Sequence, residues 1–407
     1  MPRNELGIVN LTPLEDKPVS RNSRPTHPDG RSRFVSVVVA AVLVIVLVTA
    51  YIGVRLMTAP AEQDYVGNGN GVVELVEIAP GSSVSALGPE LVERGIVKSN
   101  SAFQRAASEN SDAANVQPGY YRLEGEMSAE AAVAALLDPG HKVELLQVQP
   151  GATINDVVVV GGSTRLGIFS QISQLACGQA ANSNCVTVAK LNDAAAFTPP
   201  AELGVPEWAI DQVTARGTDP RRIEGLIAPG EYVVNPTAQA KDILRELLTK
   251  SAKVWDETGI IDKASQSQFT PYELLTAASL VERESPAGEF RKVARVIVNR
   301  LAVPMRLEFD STVNYDLADQ EVATTDEDRA RVTAWNTYAA DGLPATPIAS
   351  PSVEALEAME DPEPGDWLFF VTVDQDGTTV FNNTFEEHMN STGQAVDNGV
   401  LDSQREQ

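Results

Sequence analysis

Residues 274–299 read LLTAASLVERESPAGEFRKVARVIVN, and the architecture hangs on this stretch. Its first half is an apolar helix that ends in Glu282, Arg283, Glu284 and Ser285. Pro286 stops the helix, because the residue before a proline avoids the helical region. A second amphipathic helix follows, burying Phe290, Val293, Ala294, Ile297 and Leu301. On a 3.6-residue period Glu284 falls within about 20° of Ala277, about 40° of Leu280 and about 60° of Val281. It therefore sits on the apolar face, whereas Glu282 points about 160° away and reads as a solvated acid. A carboxylate on such a face is costly unless it is paired or keeps its proton. Two readings follow: a structural Glu paired with a nearby Arg, or a general acid whose pocket raises its pKa.

The 407 residues leave room for two or three domains. The formal charge is −25, and no basic stripe or aromatic-basic cluster is present. Nucleic acid is thereby excluded as a partner. Three histidines (His27, His141, His388) and two cysteines are too few and too scattered for a zinc site, so neither a metal nor another cofactor is expected. No Ser-His triad spacing and no phosphate-cradling Gly loop stands out.

Phe34–Val54 runs 21 residues without a charge. One helix of that length spans a bilayer core of about 30 Å. The preceding residues carry Arg3, Lys17, Arg21, Arg24, Arg31 and Arg33, which places them in the cytoplasm by the positive-inside rule. The expected order is a disordered cytoplasmic tail (1–33), a transmembrane helix (34–55), a Gly-rich linker (56–71) and a large extracytoplasmic part. Outside the membrane, Cys177 and Cys185 are expected to form a disulfide across a short polar loop.

In the exterior part, 72–150 reads as a small α/β unit. A strand over 71–78 leads through Pro80-Gly81 into a helix. Ser99 caps a second helix, 118–123 is a strand, and Ser128 caps a third helix. Val76–Val84 (VEIAPGSSV) is echoed by Leu146–Ile154 (LQVQPGATI), each read as strand, Pro-Gly turn and helix start. The spacing of the first copy is like a LysM-type carbohydrate-binding module. Residues 151–222 read as helices with the clipped loop. Residues 223–390 read as a mixed α+β domain, with Thr237 capping a long helix, a strand over 304–309 and a hairpin over 368–381. After Glu387 the chain reads as thinning out, and 391–407 as a polar tail.

Six runs carry a resemblance: LLTAASLVERES (274–285), VARVIVNRL (293–301), MRLEFDSTVNY (305–315), NTY (336–338), DGLPATPI (341–348) and WLFFVTVDQDGTTVFNNTFEEH (367–388). Together they resemble the MltG/YceG-like family of endolytic murein transglycosylases. That resemblance implies a membrane-anchored lyase that cleaves the β-1,4 bond between N-acetylmuramic acid and N-acetylglucosamine in peptidoglycan glycan strands. The products have 1,6-anhydro ends, no cofactor takes part, and the partners are cell-wall synthases. The family's Glu-x-Glu-Thr motif reads Glu282-Arg283-Glu284-Ser285 here, so the catalytic role falls on Glu284. Ser285, Glu308, Asp310, Ser311, Thr312, Asn314, Tyr315, Asn336, Thr337 and Tyr338 are the groove candidates that the resemblance implies. Three positions depart from the family pattern. Glu308 stands where Gln is usual, 224–232 reads EGLIAPGEY in place of an aromatic-rich run, and Trp335 replaces Tyr. Glu308 reads either as a substrate-facing polar group or as a second carboxylate beside Glu284. Two other functions stay open: a non-catalytic wall-binding scaffold, and a hydrolase that uses Glu308 as its second acid.

Overall fold

The computed structural model describes residues 41–51 and 63–400, apart from 160–162, 180–184, 237, 287, 304 and 321–323. Residues 41–51 form helix α1, whose apolar side chains are exposed on every side (Val42 53%, Leu47 65%, Tyr51 65%). The rest of the expected membrane span lies outside the described residues. Among the described residues no helix is long and apolar enough to cross a membrane.

Beyond α1 the chain is a mixed α+β protein with two hydrophobic cores. The first core lies under β1 (Val73–Ile78) and β2 (Gly119–Glu124), an antiparallel pair in which Val76 faces Tyr121. Between the strands run α2 (Gly88–Glu93) and α3 (Asn100–Glu109), and α4 (Ala129–Leu137) follows. Ser99 and Ser128 cap α3 and α4 by accepting the amides of Ala102 and Ala131. Val76, Leu91, Phe103, Leu123 and Leu136 fill this core.

The second core begins at Leu146. Strand β3 (Leu146–Val148) pairs antiparallel with β6 (Gly230–Tyr232). The two echoed segments share their turns: Gly81 and Gly151 both take positive φ (81° and 75°), and Ser82 and Ala152 donate back to Ala79 and Gln149. Proline followed by a left-handed glycine is the type II turn signature. The echo ends there. After Gly81 the chain goes helical, whereas after Gly151 it leads to strand β4 (Val157–Val159). β4 pairs with β5 (Ser163–Arg165) and runs parallel to β7 (Asp319–Gln320). The second turn is clasped instead by Ser350, whose carbonyl takes the Gly151 amide and whose amide reaches Ala152.

Helices α5 (Ile168–Gln179) and α6 (Val188–Phe197) flank the clipped loop, with Cys177 and Cys185 joined in a disulfide. Next come α7 (Ile210–Ala215), α8 (Ala240–Glu257) and α9 (Ile260–Ser265). Thr237, expected to cap α8, lies outside the described residues, and Gln239 occupies the cap position.

The centre of this unit is α10 (Pro271–Glu284). Its start is a capping box in which Thr270 and Glu273 bind each other's amides. Leu274, Leu275, Ala277, Ala278, Leu280 and Val281 are completely buried, so the helix is surrounded by protein along most of its length. α11 (Phe290–Ala302) and α14 (Val353–Glu360) pack on it. The remaining elements are α12 (Asp310–Asn314), α13 (Asp326–Ala330), the hairpin β8 (Phe369–Thr372) and β9 (Thr379–Asn382), and α15 (Phe385–Asp397).

Two expectations are corrected. Residues 305–309 do alternate, with Leu307 and Phe309 buried and Arg306 and Glu308 exposed, but they form no strand. The bonds a ladder would supply come from elsewhere: Arg300 donates to the Leu307 carbonyl, Glu308 N–H reaches Thr337 O, and Phe309 N–H reaches Thr337 Oγ1. Beyond Glu387 the chain does not thin out. It continues as α15, begun by a Thr384–Glu387 capping box.

Candidate active site

Glu284 is the last residue of α10, and Ser285 ends the helix with its amide on Val281 O. The Glu284 carboxyl crosses to α12, where Oε1 accepts the Ser311 amide at 3.2 Å. Phe309, the N-cap of α12, offers no side-chain acceptor. Glu284 thus takes one of the orphan amides of that short helix. No salt bridge to Glu284 forms among the described residues, and Arg283 acts on it only through its field.

Several fields act on this carboxyl. Burial raises its pKa most, the Ser311 bonds lower it, the Asp310 charge raises it, and Arg283 lowers it again. The net direction is upward, which keeps the proton on to higher pH. Among the leading influences on Glu284, the repelling carboxylate is Asp310. Glu308 is exposed, and its φ of 52° marks a left-handed step that turns the chain from 305–307 into α12.

Asp310 is itself fully engaged. It accepts from Thr324 Oγ1 (2.7 Å), Tyr338 OH (2.8 Å) and the Arg329 guanidinium (3.1 and 3.2 Å). It can act on Glu284 through its field, with little capacity left for nucleophilic work. Ser311 is different. Its hydroxyl is buried beside the Glu284 carboxyl and has no bond of good geometry to another protein group.

The other groove candidates divide. Asp310, Ser311 and Tyr338 gather around Glu284, with Ser285 next in chain, its hydroxyl on Pro286 O. Thr312, Asn336 and Thr337 are at most 2% exposed and do not line a surface. Thr312 and Thr337 share a hydroxyl bond of 2.9 Å, and the Asn336 side-chain amide binds the carbonyls of Asp328, Arg329 and Arg331. Their short polar side chains tie loops together. Asn314 closes α12. Tyr315 donates to Glu224 Oε2 at 2.8 Å and meets Trp335 edge-on at 5.3 Å. Trp335 is not placed to stack on a sugar: it is 4% exposed, covered by Arg221 at 3.9 Å, and donates to Thr346. Glu282 also departs from its expected solvated role, since it accepts both the amide (2.9 Å) and the hydroxyl (2.6 Å) of Ser352, the N-cap of α14.

Two functional groups escaped the sequence reading. Arg300 is 7% exposed, donates to Leu307 O and Leu368 O, and brings its charge to Glu284, Glu308 and Tyr338. Glu224 is 1% exposed, and burial pushes its carboxyl up to about 7. Both could have been found by the criterion that singled out Glu284. Arg300 follows Val293, Val296 and Ile297 on one helix face, and Glu224 lies in the run Ile223–Ile227.

A half-buried carboxyl whose pKa is raised by desolvation, set at a helix end among sugar-compatible hydroxyls, is an arrangement that suits a general acid. A model of the YceG-like family matches residues 76–394, and the chain belongs to that family. It is similar to a Bacillus subtilis (strain 168) protein named endolytic murein transglycosylase, 28% identical over 317 residues, 77% of this chain and 82% of that one. A protein of the same name from Streptococcus pneumoniae (strain D39) is 25% identical over 338 residues, 79% of this chain and 58% of its own length. A crystal structure of a YceG-like protein from Listeria monocytogenes aligns with 25% identity and a TM-score of 0.49, over 78% of this chain and 98% of that one.

Proposed function

We propose that this chain is a membrane-anchored endolytic lytic transglycosylase. It cleaves the β-1,4 bond between N-acetylmuramic acid and N-acetylglucosamine within nascent peptidoglycan strands and leaves 1,6-anhydro ends. The observation that carries this is the Glu284 carboxyl: half-buried at the helix end, raised in pKa by desolvation, held by the Ser311 amide and without a salt bridge among the described residues. Protonated Glu284 gives its proton to the glycosidic oxygen as positive charge develops on the sugar ring. The carboxylate so formed takes the proton of the muramoyl C6 hydroxyl, which closes the anhydro ring on C1. Because that nucleophile belongs to the substrate, no second catalytic carboxylate is required. Asp310, the nearby acid, is bound on both oxygens, which favours this reading over a hydrolase. Tyr338 and the exposed Glu308 are the groups offered to the glycan, with the Ser311 hydroxyl lying inside, beside the acid.

The apolar exterior of α1, within the uncharged run 34–54, supports a membrane anchor with the catalytic part outside. The order strand, helices, antiparallel strand in the first core supports a LysM-like module that grips the wall. A synthase is the natural partner of an enzyme that ends growing strands. The test is mass spectrometry of glycan strands incubated with the full-length chain in detergent. Anhydro ends, lighter by one water than hydrolysed ends and absent with Glu284→Gln, are expected. Reducing muramic acid ends would instead indicate a hydrolase, and intact strands that sediment with the protein would indicate a scaffold.

A further inference from the structure

The proposed mechanism uses Glu284 but not the second buried carboxyl, Glu224. Glu224 is held by the Ile154 amide at 3.1 and 3.3 Å and receives the Tyr315 hydroxyl at 2.8 Å. Tyr315 directly follows α12, whose second residue, Ser311, gives its amide to Glu284. Five residues are too few for a helix to hold itself in place, so tethers must fix α12. At its start Thr312 binds Phe309 O and Thr337. At its end Tyr315 binds Glu224, Asp316 pairs with Arg221 (2.8 Å), and the Gln320 side chain reaches Asn314 O at 3.5 Å. Arg221 is in turn pinned by Asp219 at 3.1 Å on two nitrogens and by the Trp335 ring.

We infer that Glu224 is a positioning residue for the acid: its bond to Tyr315 holds the short helix whose Ser311 amide sets the carboxyl of Glu284. The inference rests on the reading of Glu284 as the general acid. Loosening the far end of α12 lets the Ser311 amide drift from Oε1, while the rest of the site keeps its side chains. Two consequences follow. The acid loses alignment, which lowers turnover more than binding. It also loses a donor that favours its carboxylate, so it keeps its proton to higher pH. The other charges acting on Glu284, from Asp310 and Arg283, and the Arg300 and Tyr338 groups beside it, are untouched by this change.

The test compares Tyr315→Phe, Glu224→Ala, Glu224→Gln and Glu284→Gln in the full-length chain, on soluble glycan strands. Tyr315→Phe keeps the ring on Trp335 and removes only the hydroxyl. It should fold normally, lose kcat about tenfold with KM little changed, and shift the alkaline limb of its rate profile upward. Glu224→Ala should do the same, and Glu224→Gln, which keeps an acceptor for Tyr315, should recover most of kcat. A folded Tyr315→Phe with wild-type kcat overturns the inference, as does a lower kcat with an unmoved alkaline limb. Loss of fold in Tyr315→Phe also overturns it, since the bond would then serve stability alone. An active Glu284→Gln overturns the reading of the acid and the inference with it. An inactive Glu284→Gln beside a wild-type-like Tyr315→Phe overturns the inference alone.

Discussion

Glu224 is fully enclosed by protein and Glu284 half-buried, and desolvation is the largest influence raising each. They differ in what has been done about that cost. Glu224 has donors on both oxygens, from a backbone amide and a tyrosine, with Arg221 close by. Glu284 has one backbone amide and a neighbouring negative charge, and it sits where the negative end of the α10 dipole lies. A saturated buried acid holds parts together. An under-satisfied one at an opening is poised to exchange a proton. The difference between the two acids lies in their donors and neighbouring charge rather than in desolvation alone.

The sharpest way to break the comparison is Glu284→Gln. It keeps the shape, removes the proton, and should cost about 10³-fold or more in strand cleavage with little change in unfolding midpoint. Turnover assayed beside thermal denaturation checks both halves. Glu224→Ala should combine its smaller, about tenfold loss of kcat with a stability cost, orphaning the Ile154 amide and the Tyr315 hydroxyl and destabilising the chain by about 2–3 kcal/mol in denaturant titration.

A subtler difference concerns pH. The folded carboxyl of Glu224 titrates about 7, above its unfolded value, so the folded state binds the extra proton between the two. Stability then falls as pH rises through that window, by an amount on the order of 3 kcal/mol from this group. Glu224→Gln should flatten that part of the stability profile. At the active site, Asp310→Asn removes a charge that raises the Glu284 pKa and should move the alkaline limb of activity down. Smallest of all, Glu308→Gln changes an exposed charge and should alter turnover by less than about threefold.

These contrasts bear on what the sequence could disclose. A charge on an apolar face was readable at Glu284 because the helix is long and its period clean. The same pattern at Arg300 and Glu224 was equally readable, and a systematic search for charged residues in buried phase would have reached both. The stretch 305–309 misled because alternation reports burial, not pairing; Arg300 and Thr337 supply bonds that a neighbouring strand would otherwise make. Thr312, Asn336 and Thr337 look like sugar ligands by type, and only tertiary packing shows that loop carbonyls and one another take up their side chains. Helix α15 was lost because Phe385 and Met389 stay exposed (63% and 51%), leaving no buried stripe to read. Its Thr384–Glu387 box was the available signal.

The last turn of α10 is fastened at two residues: Glu282 to the cap of α14, and Glu284 to the first turn of α12. Helix ends ordinarily fray, sampling many conformations within the final turn. Here two separate helix starts grip the same end, so the acid's freedom is spent during folding and not at the moment of encounter with substrate. Amide exchange in residues 282–285 should accordingly be as slow as in the middle of the helix, a rare property for a terminus and a direct measure of how far the site is preorganised.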